Sequence, residues 1–214
     1  MQIAMIGAGY VGLVTGACFS EFGANVTCVD KDVNKIFVLK EGKIPIFEPG
    51  LKALVQSNVQ SNRLTFTSDL KTAVEKADAV FIAVGTPSRR GDGHADLSFV
   101  FSVAEEIAHV ISNYTLVVTK STVPVGTGRK VAEKIRRTSP EADFDVCSNP
   151  EFLREGAAIN DFMRPDRVVI GADTDRARKM MREIYRPLFL RETPIVFTDL
   201  ETSEITKYAA NSFL

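Results

Sequence analysis

The chain has 214 residues, 45% apolar and 25% charged, with 26 basic against 27 acidic side chains. That balance describes a soluble protein long enough to bury its own core, and it excludes disordered and fibrous classes. A formal charge of -1 leaves no electrostatic footprint for nucleic acid or an anionic membrane, so a negative ligand must be met by local geometry.

Ile3 to Phe19 is nearly free of charge, yet it lacks a basic leading segment and is interrupted by Gly7, Gly9, Gly12 and Gly16. It also falls short of the roughly 20 apolar residues a bilayer requires, and Ala79 to Val84 is shorter still, so no targeting or membrane segment is read. Without repeats or low-complexity tracts, one continuous domain is expected. Strands are predicted at Gln2 to Ile6, Asn25 to Val29, Leu64 to Thr67, Ala79 to Val84, Thr115 to Thr119 and Asp143 to Cys147. Amphipathic helices lie between them, clearest at Leu97 to Ile111 and Gly128 to Arg137. This alternation predicts an α/β fold: a doubly wound, Rossmann-type parallel sheet with helices on both faces. After Asn149 come a Pro-bounded loop, a strand at Arg167 to Ile170, a charged helix from about Asp175 to Tyr185 and a strand at Ile195 to Phe197. A last helix starts after Thr198-Asp199 and meets no stop signal before Leu214, so the chain looks cut in mid-helix.

Gly7-Ala8-Gly9-Tyr10-Val11-Gly12 follows the first strand and opens a helix. Dinucleotide binding needs a tight turn, close approach of backbone to pyrophosphate and close helix packing, one for each Gly. The phosphates then rest on a helix N-terminus without any Lys; the alternative is a Gly-rich turn with no ligand. Asp30, at the end of the second strand, stands where a carboxylate accepts both ribose hydroxyls and repels a 2'-phosphate, which favours NAD, a preference that Lys31 and Lys35 weaken a little. Its alternative role is to cap the next helix. Gly85 and Thr86 follow the fourth strand and Thr122 the fifth, at the carboxyl ends where open sheets bind ligands; singly, each threonine reads as a turn or capping residue. Glu151 and Glu155, four apart on a short helical turn, would share one side and could position or deprotonate a water, or belong to a charged helix start. Glu204, Lys207 and Asn211 share a face of the last helix, where an ammonium and a carboxamide could hold an oxyanion; on pattern alone, a solvated face is preferred. His94 and His109 have no partners at ligand spacing, so no metal site is read. Cys18, Cys28 and Cys147 are odd in number and lie in apolar surroundings, which argues for a reducing, cytoplasmic setting and core packing.

As a set, these residues resemble the UDP-glucose 6-dehydrogenase family of nucleotide-sugar dehydrogenases. The resemblance rests on the Gly7 to Gly12 motif, Ile46-Phe47-Glu48-Pro49-Gly50-Leu51, Gly85-Thr86-Pro87, Asp92-Gly93 with Ala95-Asp96-Leu97-Ser98, Lys120-Ser121-Thr122-Val123-Pro124-Val125-Gly126-Thr127, Asn149-Pro150-Glu151-Phe152-Leu153-Arg154-Glu155-Gly156 and Lys207-Tyr208-Ala209-Ala210-Asn211. It implies two oxidations of the C6 hydroxyl of UDP-glucose by NAD, ending in UDP-glucuronate, with a cysteine thioester between them. It implies NAD contacts from the Gly7, Gly9, Tyr10, Val11, Gly12 loop and from Asp30, Lys35, Gly85, Thr86, Thr122 and Glu155. Thr122 and Glu151 would hold the catalytic water, Glu155 would take part in hydrolysis, and Lys207 and Asn211 would stabilise the oxyanion. Glu151, Phe152, Leu153, Arg154, Glu155, Lys207 and Asn211 would meet the sugar nucleotide.

The family's nucleophilic cysteine lies in a Gly-rich segment of a C-terminal domain, and none of the three cysteines here sits in that motif. The expectation is therefore an NAD-binding domain at 1–199 and the start of a connecting helix at 200–214, with the UDP-sugar domain absent. Such a chain should bind NAD without turnover, and the complete protein should be a homodimer. Two other readings keep the fold: a 3-hydroxy-acid type of dehydrogenase using Lys207 and Asn211, and a non-catalytic NAD-sensing module.

Overall fold

The computed structural model describes the chain except residues 90, 92, 191 and 214. Asp92 of the Asp92-Gly93 motif and the terminal Leu214 therefore lie outside the described residues. In chain order the elements are β1 (Gln2–Ile6), α1 (Tyr10–Glu21), β2 (Asn25–Val29), α2 (Val33–Lys40), α3 (Leu51–Gln60), β3 (Leu64–Thr67), α4 (Leu70–Val74) and β4 (Ala79–Ile82). Then follow α5 (Ser98–Ala108), β5 (Thr115–Thr119), α6 (Thr127–Thr138), β6 (Phe144–Ser148), α7 (Ala158–Met163), β7 (Val168–Ala172), α8 (Asp175–Ile184), α9 (Arg186–Phe189), β8 (Ile195–Thr198) and α10 (Leu200–Ser212).

The strands form one sheet in the order β3-β2-β1-β4-β5-β6-β7-β8. Alternate residues of each strand enter opposite layers: Ile3 and Met5 of β1 pack with α1, α3 and α7, while Ala4 and Ile6 pack with α4, α5 and α6. Burial on both faces explains why these strands read as continuous apolar runs. The chain reverses its direction of winding between β1 and β4, which opens a crevice beyond their carboxyl ends.

The sheet departs from an all-parallel one at β7, which pairs with β6 antiparallel through Cys147–Ala172 and Ser148–Gly171. The connection after β6 contains only the short α7, so the chain returns beside β6 without a full crossover. What reads as a loop after Asn149 thus carries a helix, and α2, α3, α4 and α9 are elements the sequence reading did not place. Asp32, Asp69, Thr174 and Asp199 cap α2, α4, α8 and α10 through side-chain oxygens, whereas α1 and α6 start at Gly9 and Gly126 without side-chain caps of their own. Cys18, Cys28 and Cys147 are unpaired and buried, and burial pushes each thiol up to about 12.

Candidate functional site

The crevice begins at the turn from β1 to α1. Gly7 takes φ +104°, and a Cβ on Gly12 would stand 1.8 Å from the Gly7 carbonyl oxygen, so both positions exclude any side chain. At Gly9 a Cβ would meet nothing within 4 Å, and no side chain caps α1. The first amides of α1, led by Tyr10, Val11 and Gly12, therefore face an open cradle that suits an anion. Val11 is half-buried against the core layer.

Asp30 closes the same turn from β2. Its carboxylate accepts the Ala8 N–H (3.0 Å) and the Asp32 N–H (3.0 Å) and pairs with Lys35 Nζ at 2.7 Å. Burial raises the Asp30 carboxyl, but the ammonium of Lys35 and the two amides outweigh it and hold the group below the usual carboxylate range. The helix cap is Asp32 rather than Asp30, which is left to brace the glycine loop.

Beyond β4 and β5, Gly85 is exposed and Thr86 Oγ1 donates to the Thr122 carbonyl oxygen (2.8 Å), tying the two strand tips together. Ser121 Oγ donates to the Val84 carbonyl oxygen (2.6 Å) in the same tie. A cleft of about 550 Å³ separates Thr86, Thr122 and Pro124 from Ile205 and Tyr208 of α10.

No helical turn joins Glu151 to Glu155. Residues 151–154 run irregularly, and the Glu151 carboxylate turns back to accept the Leu153 N–H (2.6 Å). Glu151 Oε1 meets Lys207 Nζ at 3.2 Å, with both side chains about nine-tenths buried. The Phe152 ring has the Lys207 ammonium and the Arg167 guanidinium each 5.4 Å from its centroid. Arg154 is held by Asp161, whose carboxylate takes its Nε, Nη2 and backbone N–H. Glu155 is exposed, close enough to Tyr10 to act on its phenol.

The last helix is not a solvated face. Glu204 and Lys207 are 2% and 8% exposed, because α10 lies over the ends of β6 and β7 and Ser203 Oγ reaches the Ser148 carbonyl oxygen (3.2 Å). Glu204 turns away from Lys207 and accepts the Gly126 (2.6 Å) and Gly128 (2.7 Å) amides, supplying the missing cap of α6. Asn211, one turn beyond Lys207, is exposed. The arrangement thus joins Glu151 and Lys207 directly, leaves Asn211 open above them, and puts Glu155 on the side of the glycine loop.

The chain matches the family model of the UDP-glucose/GDP-mannose dehydrogenases, NAD binding domain, over residues 1–189. The chain belongs to this family. Its cofactor is accordingly NAD, and the cradle at Gly7, Gly9 and Gly12 with Asp30 fits a dinucleotide. It is 66% identical over its whole length to a UDP-glucose 6-dehydrogenase of Rhizobium meliloti and 45% identical to one of Pseudomonas aeruginosa. Among solved structures, 99% of the chain superposes on a UDP-glucose dehydrogenase of Pyrobaculum islandicum with a TM-score of 0.95 at 38% identity. All of it superposes on a GDP-mannose dehydrogenase of Pseudomonas aeruginosa with a TM-score of 0.94 at 41% identity. The chain spans about half the length of these proteins, 48% to 50%.

Two groups beside the site belong to motifs quoted above but received no role from the sequence. Lys120, just past β5, is 3% exposed and donates to Asn149 Oδ1 (3.1 Å), the Asn149 carbonyl oxygen (3.4 Å) and the Tyr185 hydroxyl (3.4 Å). Burial pushes its ammonium down to about 8, Glu151 opposing and Lys207 adding to the shift. Its strand parity was the available signal, since Leu116, Val118 and Lys120 alternate onto one face. The other is Glu48, which lies between α2 and α3 and is 7% exposed. Among the described residues, no group of three or more His, Cys, Asp and Glu could hold a metal ion, and no helix is long and apolar enough to cross a membrane.

Proposed function

We propose that the chain is the cofactor-binding half of an NAD-dependent dehydrogenase whose complete form oxidises UDP-glucose at C6 to UDP-glucuronate. The buried Glu151–Lys207 pair beside the strand tips carries this reading, in a chain 66% identical to a UDP-glucose 6-dehydrogenase. NAD supplies the hydride acceptor when bound. The α1 amides receive its pyrophosphate, Asp30 with Lys35 receives the adenine ribose, and Thr86 and Thr122 line the path to its other end. Lys207 presents an ammonium to the C6 oxygen, and Asn211, one turn along the same helix, adds a donor as charge grows there. Glu151 orients that ammonium and, with Thr122, holds a water; Glu155 approaches from the glycine-loop side. Phe152, Leu153 and Arg154 shape the wall that meets the sugar nucleotide.

Residues 1–199 then form the cofactor unit and 200–214 begin the connecting helix. The nucleophilic cysteine belongs to the other half, because burial suppresses the thiolate of all three cysteines here. Three unpaired cysteines suit the cytoplasm, and exposed Ile205, Tyr208 and Phe213 on and just past α10 suit a homodimer of the complete protein. Calorimetric titration with NAD, followed by assay of NADH from UDP-glucose, tests the reading. The 214-residue chain should bind NAD and produce no NADH; sustained NADH production, or no NAD binding, overturns it.

A further inference from the structure

Glu48 is the one buried carboxylate of the Ile46 to Leu51 motif, and neither the cofactor nor the sugar reading uses it. Its Oε2 accepts the Tyr10 hydroxyl at 2.5 Å and the Gly156 N–H at 2.8 Å. The Ala158 and Ile159 amides at the start of α7 lie close enough to lower its carboxyl. Burial raises the carboxyl, yet the phenol and these amides outweigh it, so Glu48 is a charged hub below the usual carboxylate range. The phenol of Tyr10 is correspondingly pushed up to about 12, by burial first and then by Glu48, and stays a donor at neutral pH.

These bonds cross the molecule's sequence. Tyr10 is the first residue of α1, at the dinucleotide cradle; Gly156 follows Glu155 directly and sits in a left-handed turn at φ +84°. Gly50 lies over α7, where a Cβ would stand 3.7 Å from Ile159 Cδ1. One carboxylate therefore joins the loop that receives the pyrophosphate to the segment that carries Glu151 and Glu155.

We infer that Glu48 is a positioning residue that couples occupation of the glycine loop to the conformation of the Glu151 to Gly156 segment. Fixing α1 at its first turn holds the Tyr10 hydroxyl, which holds Glu48, which holds the Gly156 amide beside the start of α7 and so sets the approach of Glu155. The inference rests on the proposed function only in taking NAD as the ligand of the cradle.

Backbone amide exchange on the 214-residue chain, with and without saturating NAD, tests it. In the native chain NAD should slow exchange at Gly156, Ala158 and Ile159 by about fivefold or more, the lower end of ordinary coupling between sites. Tyr10→Phe cuts the link to α1 but keeps the carboxylate on its amides, so protection in the free chain should persist while the NAD response disappears. Glu48→Gln should expose the Gly156 amide with and without NAD. A response to NAD that survives Tyr10→Phe, or no response in the native chain that binds NAD, overturns the coupling. Absence of NAD binding overturns the proposed function and the coupling together.

Discussion

Replacing Lys120 by Met isolates the cost of a charge buried beside the site. Met matches the aliphatic stem and removes the ammonium, while Asn149 Oδ1 keeps the Tyr185 hydroxyl (2.6 Å) and Asn149 Nδ2 keeps the Val169 carbonyl oxygen (2.9 Å). No buried side-chain amide is orphaned. Displacement of the ammonium from its ordinary 10.5 to about 8 corresponds, at about 1.4 kcal/mol per pH unit, to about 3 kcal/mol against the charged folded form. Below pH 8 the folded and unfolded chains both carry this proton and the full cost stands. Between about pH 8 and 10.5 the unfolded chain holds a proton that the folded chain has lost, so raising the pH stabilises the fold. Glu151, Lys207 and Tyr185 face the same ammonium and are unchanged by the substitution. The three thiols, pushed up from 9.0 to about 12, work in the opposite direction above pH 9 and cancel between native chain and variant. Urea unfolding at pH 7 and pH 9 measures the effect. Lys120→Met should be at least as stable as the native chain at pH 7, and its advantage should shrink by about 1 kcal/mol by pH 9. Parallel stability curves across that range would refute the argument.

Gly12→Ala forces a methyl against the Gly7 carbonyl oxygen; it should cost about 1–3 kcal/mol in urea unfolding and abolish NAD binding in calorimetry. Glu204→Ala leaves the Gly126 and Gly128 amides at the start of α6 without their carboxylate, and should lower unfolding free energy by about 2 kcal/mol. The three thiols should stay inert to a thiol-specific reagent in the native chain and all react in urea; stoichiometric labelling of the native chain would contradict their burial.

Much of the fold was legible residue by residue. The predicted strands at Gln2–Ile6, Asn25–Val29, Leu64–Thr67 and Thr115–Thr119 have the bounds observed, because short runs rich in apolar and β-branched residues favour a pleated, largely buried strand. Helix ends at α5 and α6 differ from their predicted ends by one to three residues, as caps and fraying turns do. Short helices such as α2 and α7 left little periodic signal. The cradle at Gly7, Gly9 and Gly12 was legible because a left-handed turn and a close backbone approach admit almost only glycine.

Local sequence therefore determined the strands, the glycine turn and the family motifs, since each depends on steric and burial rules that act within a few residues. Tertiary structure decided the direction of β7, which apolar composition cannot encode. It also decided that Glu204 caps α6 while Lys207, three residues on, pairs with Glu151. Helical spacing alone put both on one face. Which neighbour each side chain meets depends on how α10 crosses β6 and β7, and contacts between residues more than fifty positions apart exist only once the sheet is assembled.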